Sequence, residues 1–164
     1  MEDIIREERR SETCEVFTPQ ETVRKMLDKL PIELFDKPEK TFLDNSCGNG
    51  NMLVEILMKK LMHAPRDKRM YGSIPRCKVL PFYVFAEYVE ECVKSLYGTD
   101  MMEDNIEECR KRILDIAWEA MHKMGIVSLM HLDDWKKIID RQIVCTKMED
   151  WDYEKWQPIH EKLF

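Results

Sequence analysis

The sequence is poor in the features that mark most specialised chemistries. No apolar run approaches the length of a membrane-spanning helix, and the start, Met1 to Arg10, is charged throughout, unlike a secretory leader. The six cysteines (Cys14, Cys47, Cys77, Cys92, Cys109 and Cys145) include no Cys-x-x-Cys pair. They are expected as buried thiols in a reducing compartment, which places the chain in the cytoplasm. His63, His122, His131 and His160 have no mutual ligand spacing and no neighbouring cysteine pair, which argues against a zinc site. The absence of G-x-x-x-x-G-K-(S/T) disfavours a P-loop nucleotidase, and the absence of G-x-S-x-G disfavours a hydrolase built on a nucleophile elbow. Positive charge is in deficit, with 26 Lys and Arg against 32 Asp and Glu, a net charge of −6 and a pI near 5.3. A free-standing DNA binder normally carries a basic face, so DNA is expected as a partner only within a complex.

What remains is one domain's worth of chain. Its 164 residues are 44% hydrophobic and 35% charged, enough for a modest core under a well-solvated surface. The informative stretch is Thr41 to Leu61, TFLDNSCGNGNMLVEILMKKL. A short apolar run ends on Asp44, a turn carries Gly48 and Gly50, and Met52, Leu53, Ile56, Leu57, Lys60 and Leu61 then recur at helical spacing. Strand, glycine turn and helix form the unit with which α/β folds bring backbone close to a nucleotide. Upstream, Thr18 and Pro19 are expected to open a helix from about Gln20 to Leu30, buried through Val23, Met26, Leu27 and Leu30. Downstream, the pattern predicts a helix over 82–96, a short strand ending on Asp100 and a helix capped by Asp104 or Asn105 and running to about 124. A further helix is predicted over 127–141 and a buried strand over 142–146. Residues 1–14 read as a charged arm, with Arg6, Arg9 and Arg10 as an alternative contact for a partner or nucleic acid. Residues 64–80 read as a long basic surface loop, with phosphate or substrate contact as the alternative.

The string LDNSCGNGNML resembles motif I of the amino-methylating DNA methyltransferases, usually L-D-P-A-C-G-x-G-N-F-L, with Asn45-Ser46 in place of Pro-Ala and Met52 in place of Phe. VFTPQETVRKML, about 25 residues before the glycine turn, resembles motif X of the γ-type N6-adenine enzymes, and SLYGTDMMEDNIEECRKRIL resembles their next segment. The resemblance covers roughly Glu15 to Trp156. It implies a partial Rossmann-like class I methyltransferase fold in the α/β class, about three parallel strands with flanking helices, occupying 15–164. It also implies S-adenosylmethionine (SAM) as cofactor. Phe17, Thr18 and Pro19 would line its methionine end, Asp44, Cys47, Gly48 and Gly50 would form the turn beside it, and Asp100 would hold the ribose hydroxyls. The family's adenine-binding Asp after the third strand is replaced here by Lys147, which cannot accept that hydrogen bond; Asp150 is the nearest substitute.

The family's catalytic motif, (D/N/S)-P-P-(Y/F/W), is missing, since the chain contains no Pro-Pro pair. No catalytic residue is therefore carried over. A half-sheet of order 3-2-1 would leave its first strand as an open edge, which invites a homodimer or a heteromeric partner. Trp151, Tyr153 and Trp156 are candidates for that interface or for packing on their own domain. Two functions follow. The chain is a SAM-binding protein active only when a partner completes the site, or a non-catalytic interaction protein that reuses the methyltransferase fold.

Overall fold

Three short strands lie side by side at the centre of a computed structural model, which describes residues 17–63, 82–123 and 132–159. They are β1 (Phe42–Asp44), β2 (Leu96–Asp100) and β3 (Ile143–Cys145). All run parallel in the order β1-β2-β3, with Leu43 opposite Tyr97 and Thr99 opposite Val144. The helices are α1 (Gln20–Leu27), α2 (Asn51–Met62), α3 (Phe82–Lys94), α4 (Glu103–Lys123) and α5 (Leu132–Gln142). The chain is thus mixed α/β with a three-stranded parallel sheet, as its patterning implied. The predicted charged arm and basic loop lie outside the described residues.

The helices pack on one face of the sheet. β2 turns Leu96, Gly98 and Asp100 to that side, and a side chain at Gly98 would meet Leu53 of α2 and the Cys47 sulfur. The core joins Leu53, Ile56 and Leu57 of α2 to Val89 and Val93 of α3, Ile106, Ile113 and Ala117 of α4, and Trp135 and Ile139 of α5. Each such aliphatic side chain contributes about 1.5–3 kcal/mol by leaving water. Helix α2 is buried nearly all round, including Glu55 and Lys60. Glu55 is held by the Arg24 guanidinium of α1 at 3.0 Å. Lys60 donates to the carbonyls of Pro38 and Lys40 and to the Ser95 hydroxyl at 2.8, 2.6 and 2.7 Å.

Several boundaries differ from the sequence expectation. Helix α1 stops at Leu27, three residues early, and only Val23 and Leu27 of its expected stripe are buried, whereas Met26 and Leu30 are exposed. Pro31 disfavours helical backbone at the residue before it, so the helix cannot run on through Leu30. Thr18 does not cap α1; Pro19 is its N-cap, and the Pro19 carbonyl accepts from the Val23 amide at 3.0 Å. Gln142, expected to open β3, closes α5.

The opposite face of the sheet is covered by the tail. β4 (Trp151–Asp152) and β5 (Gln157–Pro158) form a small antiparallel hairpin that the sequence reading did not anticipate. Its Trp156 meets Tyr97 of β2 edge-on at 4.8 Å between ring centroids, and Tyr153 shares a hydrogen bond with Thr99 at 3.1 Å. The three tail aromatics therefore pack on their own domain. Trp156 holds φ +52, unusual for a bulky residue, with its indole N–H bonded to the Arg141 carbonyl at 2.7 Å.

Candidate ligand pocket at the strand ends

β1 and β2 end side by side on acids, Asp44 and Asp100. Between β1 and α2 the chain makes a tight turn. The Ser46 amide donates back to Asp44 Oδ1 at 3.2 Å, the Cys47 amide to the Thr99 carbonyl at 2.9 Å, and the Gly50 amide to the Cys47 carbonyl at 2.8 Å. Gly48 at φ +51 and Gly50 at φ +84 lie in the left-handed region that side-chain-bearing residues avoid. Gly50 is also the N-cap of α2 and supplies no side-chain cap.

The turn is gripped from α4. Asn49 Nδ2 donates to Glu108 at 3.3 Å, and Arg112 donates to the Asn49 carbonyl at 2.7 Å and to Asn51 Oδ1 at 2.9 Å. Asn51 Nδ2 in turn donates to the Thr18 carbonyl at 2.9 Å. The Phe17 ring lies about 3.1 Å from where a Gly48 side chain would begin.

These contacts enclose a cavity of about 170 Å³ between the 17–18 segment and the glycine turn. Phe17, Thr18, Asp44, Cys47 and Gly48 of the expected residues line it, together with Val23, Ser46, Asn49, Asn51 and Met52. Pro19, Gly50 and Asp100 do not. Gly50 faces α4, where an added Cβ would lie 2.5 Å from the Cys109 sulfur. The Asp100 carboxylate is committed to its own protein. Oδ2 accepts from the Gly48 amide at 3.0 Å, and Oδ1 accepts from the Met102 amide at 2.9 Å and from Asn105 Nδ2 at 3.4 Å. Asp100 thus stands over the start of α4, where Asp104 or Asn105 was expected as the cap. A carboxylate offers about four lone-pair sites, and three are taken among the described residues.

Among the described residues the cavity lining contains acceptors and no cation. Burial raises the Asp44 carboxyl above its usual range; the Ser46 amide opposes this and the nearby Asp100 charge adds to it. Asn49 Oδ1 is buried and has no hydrogen-bond partner among the described residues. A ligand that brings donors or positive charge would relieve the Asp44 carboxylate. Cys47 is no nucleophile: its contact with the Cys109 thiol, burial and the two carboxylates all push its thiol far up. At the same end of the sheet Met101 and Met148 are exposed, and Lys147 precedes, and Asp150 closes, a short 3-10 turn on the surface. Asn49, Asn51, Glu108 and Arg112 were not foreseen as site residues. The signal available was the pair of asparagines inside the glycine turn.

Among the described residues no cluster of His, Cys, Asp and Glu is set to hold a metal, and no helix is long and apolar enough to cross a membrane. Comparison with protein-family models, with curated proteins and with solved structures returned no match.

Proposed function

We propose that this chain is the cofactor-binding half of a Rossmann-like class I methyltransferase fold of the N6-adenine DNA type, and that it binds SAM. The observation that carries the reading is the meeting of two distant segments, Phe17–Thr18 and Asp44–Gly48, around one cavity at the carboxyl ends of parallel strands. That crevice is where open α/β sheets take nucleotides. The residues present fit the cofactor. The cavity is smaller than a site for a whole drug-sized ligand and suits the methionine end, whose ammonium would meet Asp44. A ribose hydroxyl would meet the Asp100 acceptor site that is not taken among the described residues, and the exposed thioethers of Met101 and Met148 offer an apolar surface beyond it.

SAM would supply an activated methyl group. The chain's own residues bind and orient it and supply no group for holding a target amine. Transfer to DNA would need a Pro-Pro loop from outside these 164 residues; a partner chain joining at the β1 edge, unpaired among the described residues, is the proposed source. A second reading, a non-catalytic interaction protein of the same fold, draws on the Asp100 carboxylate being largely spent on the turn and on α4, and on Lys147.

Isothermal calorimetry with SAM tests the first reading. Asp44→Asn is the better control, because Asp100→Ala would also free the Gly48 amide and the start of α4. The unmodified chain should bind, and Asp44→Asn should weaken binding about tenfold, the loss of one charge-assisted hydrogen bond. Absence of heat with the unmodified chain would leave the interaction-protein reading standing.

A further inference from the structure

The cavity's outer wall lies far from its floor in the sequence, and a polar relay joins the two. We propose that Asn51, held by Arg112, is the positioning residue that sets the Phe17–Thr18 wall against the glycine turn and so controls the affinity of the site; the affinity part rests on the SAM reading above.

Asn51 is the first residue of α2 and uses both ends of its amide. Nδ2 donates to the Thr18 carbonyl at 2.9 Å and Oδ1 accepts from Arg112 at 2.9 Å. This pairing fixes the orientation of the amide, because a flipped group would set donor against donor at Arg112 and acceptor against acceptor at Thr18. Arg112 is anchored independently by its bond to the Asn49 carbonyl at 2.7 Å, so its guanidinium cannot swing away with Asn51. The relay therefore runs from α4, through the start of α2, to the backbone that carries the Phe17 ring onto Gly48. Helix α1 is tied to α2 further along, through Val23, Leu27 and the Arg24–Glu55 pair, but those contacts begin a full turn beyond Thr18. Without the Asn51 amide, the Thr18 carbonyl loses this donor and the wall is held less firmly against the turn. Asn51 and Arg112 touch no reacting group in this account. They act through Thr18 and Phe17.

The test separates the wall from the ligand. The Phe17 ring displaces the Gly48 resonances by its ring current, and Phe17→Leu gives the reference for complete loss. Asn51→Asp keeps the size and the acceptor for Arg112 while removing the donor to Thr18. It should move the Gly48 resonances most of the way to the Phe17→Leu values, with the thermal midpoint lowered by no more than about 5 °C. Affinity is read on Arg112→Met, which adds no carboxylate to the cavity that Asn51 lines and should weaken SAM binding about fivefold, the worth of one solvent-accessible hydrogen bond. Arg112→Met should move the same resonances in the same direction by less, and it supplies the reading if Asn51→Asp does not fold. Unmoved Gly48 resonances in a folded variant overturn the proposal, and moved resonances with unchanged affinity overturn its second half. If the unmodified chain binds no SAM, the function proposed above fails while the Gly48 resonances still decide the role of Asn51.

Discussion

Gly50 answers two demands at once. Its φ of +84 lets the chain swing from the strand into α2, and its missing side chain lets α4 approach until the Cys109 sulfur would touch an added Cβ at 2.5 Å. Gly50→Ala should therefore cost about 2–4 kcal/mol in chemical denaturation, combining left-handed strain with overpacking. Adding Cys109→Ala should restore only the overpacking part, since the backbone strain is untouched. Equal losses in the single and double mutants would show that packing against α4 contributes nothing. The motif made Gly50 legible as a glycine, and the fold adds a packing reason, the close approach of Cys109. Phe17, Thr18, Asp44, Cys47 and Gly48 were legible as a site because each lies within a short contiguous string. Arg112 was not, because its role exists only once α4 lies across the turn.

At the scale of elements, Lys60 shows the reach and the limit of periodicity. Spacing put it on the apolar stripe of α2, and it is fully buried there, which a lysine normally avoids. The residues that make this tolerable belong to the connector: the Pro38 and Lys40 carbonyls, with the Ser95 hydroxyl, surround its ammonium. Desolvation still prevails and lowers its pKa to about 8. The folded group thus releases its proton at a pH where the unfolded lysine, near 10.5, still holds one. Stability contributed by this group rises between those two values and is lost as pH falls back through about 8. Urea denaturation of the unmodified chain should show this rise relative to Lys60→Met, the difference removing contributions from cysteines and tyrosines that titrate in the same range. Parallel pH profiles for the two proteins would mean that Lys60 keeps an ordinary pKa. Helix α1 marks the limit in the other direction, for its apolar spacing runs on to Leu30 whereas the backbone turns away before Pro31.

For the whole molecule, the two edges and two faces of the sheet are unequal. The outward carbonyl of β3 at Ile143 is taken by Arg110 at 2.9 Å, so part of that edge is occupied. On β1, the Phe42 amide points inward to the Ser95 carbonyl, so parallel pairing turns the N–H and C=O of Leu43 outward. The Leu43 side chain is 53% exposed on the face that the aromatic hairpin only partly covers. Parallel sheets are normally buried on both faces, and here the second layer is a hairpin. Leu43→Pro removes the outward donor without breaking a bond to β2. It should abolish association through this edge in sedimentation, for the chain with itself or with an added partner, while leaving far-ultraviolet dichroism unchanged. Association that survives the substitution would locate the interface elsewhere, and the tail aromatics are poor substitutes because Trp156 is already engaged with Tyr97 and Trp151.

Local chemistry was enough to determine the order of strands and helices, the glycine turn and the acids at the strand ends, because periodicity, turn residues and motif strings act between neighbours in the chain. The relay from Arg112 through Asn51 to Thr18, the bond from the Gly48 amide to Asp100, and the capture of the Ile143 carbonyl by Arg110 were decided by tertiary structure alone. Each joins groups between 33 and 61 residues apart or further, as with Asn51 and Thr18 or Arg112 and Asn51. Whether a polar atom is spent or left for a ligand depends on which partner the fold brings to it, and that pairing has no period to read.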